Sequence, residues 1–295
     1  MAGRLEALVG HVLNKRDGSL VGVGGSVRTE PGILYANTAR EKFQYRTLLP
    51  ASELAPFVEN YWTVSWDLRG EPPFTQRVLT RPGVNMTFKA GRSRIAGLTT
   101  GQFAEVLEGR HRVFGVRFRT GSFRAFLGAP VAAITDRFLG VPEVFGECGQ
   151  ALEDALLRAP DEDGMSAIMD RFLGPLAPRR DRLAEVAGEL VAAIAADRSL
   201  VRVSDLAAGA GMGPRRLQRL FHEYVGAGPK WVIRRYRMQE ALARTAGGEP
   251  ASWGELAAEL GYADQAHFIR DFTANVGIPP SRYVRDAGVL AHGER

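Results

Sequence analysis

A segment in the last third of this 295-residue chain is written twice. Leu206-Ala207-Ala208 returns as Leu256-Ala257-Ala258, and Leu217-x-Arg219-x-Phe221 returns as Phe268-x-Arg270-x-Phe272. Val225-Gly226 with Pro229 is answered by Val276-Gly277 with Pro280. The offset is 50 residues at first and 51 later, so the second copy carries one inserted residue in its turn. A repeat of this length signals one supersecondary unit used twice. Each copy reads as helix, Gly-bearing turn, helix, Val-Gly, Pro, the order of a helix-turn-helix.

In the first unit Ser204 is placed to cap a short helix, Gly211 and Gly213 supply a sharp turn, and Pro214 occupies a first-turn position where proline is tolerated. The helix RRLQRLFHEYV puts Leu217, Leu220, Phe221, Tyr224 and Val225 on one stripe. Arg215, Gln218, Arg219 and His222 fall on the other, with Arg216 at its margin. Long donors of this kind match base edges and phosphates: Arg pairs bidentately with guanine, Gln with adenine. In the second unit Ser252 and Asp264 are the expected caps. Phe268, Ile269, Phe272 and Val276 point inward, and Gln265, His267 and Arg270 point outward.

A single basic helix face is usually only solvated; a turn before it and a second copy after it favour DNA. Between the units Pro229 opens a helix that runs to about Ala246, ~27 Å long at 1.5 Å per residue, enough to hold two reading helices about one turn of B-DNA apart. Trp231, Met238, Ala241 and Leu242 are its expected core contacts. The stretch 215–237 holds Arg215, Arg216, Arg219, Lys230, Arg234, Arg235 and Arg237 against Glu223 alone, and is expected to supply most of the attraction to DNA. Residues 244–271 lean acidic, with Asp271 expected to repel phosphate, so the second unit is expected mainly to add sequence preference.

The remainder has another texture. Residues 1–44 are Gly-rich and weakly patterned, a loosely ordered lead-in. Residues 45–146 break into short β-type runs such as YWTVSW, VNMTF and VFGVRF, cut by Gly and Pro, with helical insertions near residues 52–59 and 121–127. From residue 147 the pattern is helical. Residues 147–180 read as a helical linker region, 181–287 as the repeat-bearing domain and 288–295 as a tail. The fold class expected is α+β: a β-rich sandwich or barrel-like N-terminal domain, then an all-α domain whose two helix-turn-helix units are joined by a long helix.

Cys148 is the one cysteine, expected as a small core residue, so neither an intramolecular disulfide nor a cysteine-rich zinc site can form. His11, His111, His222, His267 and His292 are scattered, and CxxC, HExxH, GxSxG and phosphate-loop patterns are missing. No cofactor, metal or catalytic residue is expected, and no apolar run approaches a membrane span, which places the chain in the cytoplasm. Two rival readings stay open: a bifunctional enzyme with a catalytic N-terminal domain, and an interaction adaptor that binds no DNA.

The segments DLAAGAGMGPRRLQRLF, PKWVIRRYRMQEAL, ELAAELGYADQAHFIRDF and VGIPPSRYV, in this order over about a hundred residues, resemble the AraC family of bacterial transcription regulators. The resemblance implies that Arg215, Arg216, Gln218 and Arg219 of the first unit and Gln265, His267 and Arg270 of the second meet double-stranded DNA. Gly213 and Ala266 depart from the family's usual polar residues. Residues 45–146 resemble the N-terminal domain of a poorly defined subgroup through LLPASELAPFVENYWTVSW, RPGVNMTF, GVRFRTGSFRAFLG and ITDRF, which implies a sensing or dimerising module. Tyr61, Trp62, Trp66, Arg81, Arg117 and Arg119 are its candidates for an aromatic, cationic pocket that takes an acidic small-molecule effector. The same resemblance admits a homodimer and contact with RNA polymerase.

Overall fold

Alternation along one strand organises the N-terminal domain. Strand β2 (Val58–Leu68) buries Tyr61 and Thr63 toward one face and turns Trp62, Val64 and Trp66 to the other. The computed structural model describes residues 32–245, 250 and 252–292. Around β2, the strands β1 (Gln44–Leu48), β4 (Asn85–Phe88), β5 (Arg94–Ala96), β7 (Gly109–Phe118) and β8 (Phe138–Leu139) build a six-stranded antiparallel sheet in the order β1-β2-β7-β4-β5-β8. β3 (Phe74–Val78) and β6 (Phe103–Leu107) form a separate antiparallel pair. Trp62 lies opposite Gly115 in register, and a Cβ there would come within 2.1 Å of the indole. The glycine lets the ring lie flat across β7.

The Tyr61 face of the sheet is covered by three helices, the last two of which lie in the stretch that reads as a linker. α3 (Val141–Phe145), α4 (Glu147–Leu157) and α5 (Glu162–Leu173) bring Val141, Leu152, Leu156, Met165, Met169 and Leu173 into one core with Tyr61, Phe114 and Phe118. Each such side chain contributes about 1.5–3 kcal/mol by leaving water. The Tyr61 hydroxyl donates to Asp170 at 2.7 Å and thereby stitches sheet to helices. Residues 147–173 therefore belong to the sheet's own core.

Other expectations also change. Of the lead-in, residues 1–31 lie outside the described residues, but residues 32–44 are ordered: Ile33 bridges Val78, Leu34 is buried, and α1 (Ala36–Lys42) buries Ala39. Residues 51–57 are successive turns, with Leu54 N donating to Ala51 O and Phe57 N to Leu54 O; the helical insertion at 123–127 is present as α2 (Phe123–Leu127). Cys148 is exposed on the first turn of α4 because the buried stripe of that helix runs through Gly149, Leu152 and Leu156. The tail continues as helix: α12 spans Pro280–His292.

The C-terminal part holds α6 (Arg182–Ala196), α7 (Val203–Gly209), α8 (Pro214–Tyr224), the connector α9 (Pro229–Thr245), α10 (Trp253–Glu259), α11 (Gln265–Val276) and α12. One apolar core joins α6 to the first unit, and another joins α10, α11 and α12 to the connector. The N-terminal domain docks on both. Leu98 enters the first core, and Leu34 and Leu79 enter the second. Among the described residues no helix is long and apolar enough to cross a membrane.

The β-domain approaches α6 closely at Gly121, where φ is +92° and an added Cβ would stand 2.6 Å from the Ala184 carbonyl oxygen. Gly121→Ala combines a disfavoured backbone with a clash against backbone. We expect it to lower stability by about 2 kcal/mol or more in urea denaturation, whereas Gly70→Ala, in open space at φ +86°, costs about 1 kcal/mol. Equal losses would contradict the packing described.

Candidate nucleic-acid interface

The repeat is the same turn made twice. Gly211 and Gly261 both take positive φ, at 62° and 76°, and Met212 N donates to Ala207 O as Tyr262 N does to Ala257 O, at 3.0 Å in each case. Gly226 and Gly277 end the two reading helices at φ 92° and 90°. The caps differ. Asp264 accepts from His267 N at 2.6 Å and Ser252 from Glu255 N at 3.2 Å, as the sequence suggests. Ser204 does not cap: Arg202 holds that position, and the Ser204 hydroxyl turns to Asp205. α8 begins at Gly213 without a side-chain cap, relying on Pro214 in its first turn.

Leu217, Leu220, Phe221 and Tyr224 bury one face of α8, while Arg215, Arg216, Gln218, Arg219 and His222 are exposed on it. On α11, Phe268, Phe272 and Val276 are buried and Ile269 half-buried, with Gln265, His267 and Arg270 exposed. All eight candidate DNA contacts are thus solvent-facing side chains on the second helix of a unit. The Tyr262 ring meets His267 edge-on at 5.2 Å.

The basic stretch 215–237 divides in a way that charge counting could not show. Arg235 is 2% exposed and Arg237 4% exposed, so neither faces phosphate. Arg237 donates to the carbonyls of Asp197 and Leu200 at 3.1 and 2.9 Å, tying the end of α6 to the connector. Arg235 lies over the Trp231 ring at 4.6 Å and donates to the carbonyls of Thr99, Thr100 and Gly101. Burial pushes its pKa down to about 10, which still leaves it charged at neutral pH. Arg234 pairs with Asp271, and the connector carries Met238, Ala241 and Leu242 as core contacts, with Trp231 half-buried. The exposed cations of the stretch are Arg215, Arg216, Arg219 and Lys230, plus the half-exposed, paired Arg234.

Asp271 is likewise not the phosphate repeller expected of it. It is 7% exposed, takes both Arg234 and the Tyr262 hydroxyl (2.7 Å), and its carbonyl accepts from Asn275 at 2.8 Å. Burial and this carboxylate together push the tyrosine pKa strongly upward. The acidic lean of the second unit is therefore smaller at its surface than in its sequence.

On the β-domain, the six candidate pocket residues separate. Trp62, Trp66 and Arg117 line a cavity of about 200 Å³ between the large sheet and the β3–β6 pair. Tyr61 faces the opposite side of the sheet, and Arg81 and Arg119 line another cleft against α6, where Arg81 pairs with Glu59 at 3.5 Å. Lys89, Arg92 and Arg94, absent from the candidates above, converge on the single carboxylate of Glu105 at 3.6, 3.0 and 3.4 Å on the cavity wall. Period-two alternation in RSR and NMTFK, which puts these side chains on the Trp62 face, was the available signal. Three polar atoms on this wall, Trp62 Nε1, Gln76 Oε1 and Asn85 Oδ1, are buried without a partner among the described residues.

Removing Asp271 strands the Tyr262 hydroxyl and releases Arg234 to solvent. Asp271→Ala is expected to cost about 2 kcal/mol of stability, and the neighbouring exposed Arg270→Ala less than about 0.5 kcal/mol, both by chemical denaturation. Comparable losses at the two positions would refute the buried role of Asp271.

Residues 206–286 match the model of a helix-turn-helix domain, and residues 46–140 that of a domain of unknown function. No curated protein matches the chain. Among solved structures, ToxT from Vibrio cholerae strain SCE256 aligns at 14% identity over 86% of this chain and 95% of its own, with a TM-score of 0.34. ToxT from Vibrio cholerae O395 aligns at 10% identity over 83% and 94%, TM-score 0.35. The AraC-like transcriptional activator CuxR aligns at 15% identity over 71% and 90%, TM-score 0.22. Overlays this loose add nothing to the identification, which rests on the matched domain and on the duplicated turn. Residues 206–286 thus form a helix-turn-helix domain that holds both copies of the turn, a DNA-binding unit.

Proposed function

We propose that α8 and α11 enter successive major grooves on one face of the duplex, with Arg215, Arg216, Gln218, Arg219 and His222 reading at the first and Gln265, His267 and Arg270 at the second. The observation that carries this is a sorting of the arginines. Those on the connector are buried or paired, whereas those on the outer face of each reading helix are exposed. The connector spans 17 residues, about 25 Å, which suits one turn of B-DNA. The first unit carries the denser exposed charge and so the larger share of affinity. We further propose that the chain acts without a catalytic step, in the cytoplasm where the chromosome is. The same reading extends to self-association and to RNA polymerase, partners through which a DNA-bound regulator alters transcription.

We propose also that the cavity behind Trp62 is the effector site. Flat aromatic walls (Tyr45, Trp62, Trp66) and three cations against one carboxylate favour a small organic anion with a flat apolar body. Arg117 stays in this site; Arg81 is withdrawn from it, since it lines the other cleft.

Arg219→Ala is expected to weaken binding to a selected duplex by about 1–3 kcal/mol and to lower the slope of log affinity against log salt by about 1. Arg270→Ala is expected to lose less. Arg235→Gln, which removes a buried charge from the same sequence stretch, is expected to lower stability in urea denaturation, whereas Arg219→Ala is not. An unchanged slope at Arg219, or an unchanged stability at Arg235, overturns the sorting. For the effector site, titration calorimetry with naphthoate should show binding that Arg94→Ala weakens about tenfold or more. Absence of naphthoate binding to the parent contradicts that site.

A further inference from the structure

Residues 97–102, the short segment between β5 and β6, form one wall of the effector cavity and at the same time touch both reading units. Gly97 and Thr99 line the cavity. Leu98, 1% exposed, is buried in the core of the first unit with α6 and α8. The carbonyls of Thr99, Thr100 and Gly101 receive Arg235 of the connector. Gln102 Nε2 donates to the Val276 carbonyl at 2.6 Å, at the end of the second reading helix.

The segment has little slack. Asp136, itself at φ 56°, accepts from Thr100 N at 2.7 Å and from the Thr100 hydroxyl, and its own N–H donates to Leu98 O at 2.8 Å. A Cβ on Gly97 would stand 1.8 Å from the Ile134 carbonyl oxygen. Other contacts between the domains serve one side only. Arg124 with Glu223 (2.7 Å) and Thr135 with Gly226 (2.7 Å) hold the first unit, and Gln239 with Leu79 (3.1 Å) holds the connector.

We infer that residues 97–102 are the element through which an occupant of the cavity sets the placement of the two helix-turn-helix units relative to each other. This rests on reading the cavity as the effector site. The physical basis is contiguity in a packed interior: a side chain or ligand pressed on Thr99 cannot displace the segment without moving Leu98, the Arg235 cage and Gln102 together. Two sites are then coupled by whatever preference the occupant has between two settings of this segment. DNA spacing is the readout, because the relative placement of the units decides which separation of half-sites both can reach.

The test needs no ligand. Val64→Phe fills part of the cavity, Gln102→Ala cuts the tie to the second unit, and the double variant closes a cycle. For each full-length protein, affinity is measured for a selected duplex and for the same duplex with one base pair inserted between half-sites. Val64→Phe is expected to change the ratio of the two affinities by about threefold or more, and in the Gln102→Ala background to leave it unchanged. The inference is overturned if Val64→Phe shifts the ratio equally in both backgrounds, or if the folded variant shifts it in neither. Should Val64→Phe fail to keep the parent's near-ultraviolet dichroism, Thr87→Met on the same wall takes its place under the same criteria. Failure of naphthoate to bind, by contrast, removes the proposed ligand class, while the mutant cycle still decides the coupling.

Discussion

The guanidinium of Arg235 in its cage of backbone carbonyls is the interaction on which the arrangement depends. A cation at 2% exposure is costly, and here Nη2 alone reaches the three carbonyls, from a segment more than a hundred residues away in sequence, while Nε and Nη1 are buried without a hydrogen-bond partner among the described residues. Trp231 covers one face of the same group. The connector helix is thereby fixed to the β-domain, and the two reading units, each packed on that helix, inherit the position. Arg237 does a parallel task inside the C-terminal part, holding the connector to the end of α6.

This use of arginine inverts what the charge density of residues 215–237 implies. Two of its cations are locked in the interior and a third neutralises Asp271, so the stretch mixes structural cations with those facing solvent. The distinction follows from helix geometry. On α8 the arginines lie opposite the Leu217–Phe221 stripe, whereas the connector is covered on several sides, by both units and by residues 97–102. Desolvation then demands carbonyl or carboxylate partners on the connector, and leaves α8 free to meet phosphates and bases.

Much of this domain is legible in the sequence. The doubled LAA and the R-x-F pair locate both turns, and the apolar stripes separate Arg219 and Arg270 from Phe221 and Phe272. What sequence cannot show is tertiary: which carbonyls meet Arg235, or that Arg81 and Trp62 fall on different cavities though both come from the β-domain. Helices α4 and α5 are legible as helices, yet they read as a linker instead of a cover for the sheet. Their Leu152/Leu156 and Met165/Met169 pairs at four-residue spacing are the available sign that each needs a partner surface. Residue type alone puts Cys148 in the core, and the stripe through Gly149 and Leu152 leaves it outside. Ser204 fails as a cap because the helix starts at Val203, two residues earlier than a Ser204 cap requires.

On the proposed function, the two reading helices, held by one pinned connector, address adjacent turns of DNA on one face. Hydroxyl-radical footprinting of the full-length protein on a selected duplex should then show two protected windows centred about 10 base pairs apart on the same face. Substitution of Gln265, His267 and Arg270 by alanine should erase one window and leave the other. A single window in the parent protein, or loss of both windows in that variant without loss of folding, would contradict it.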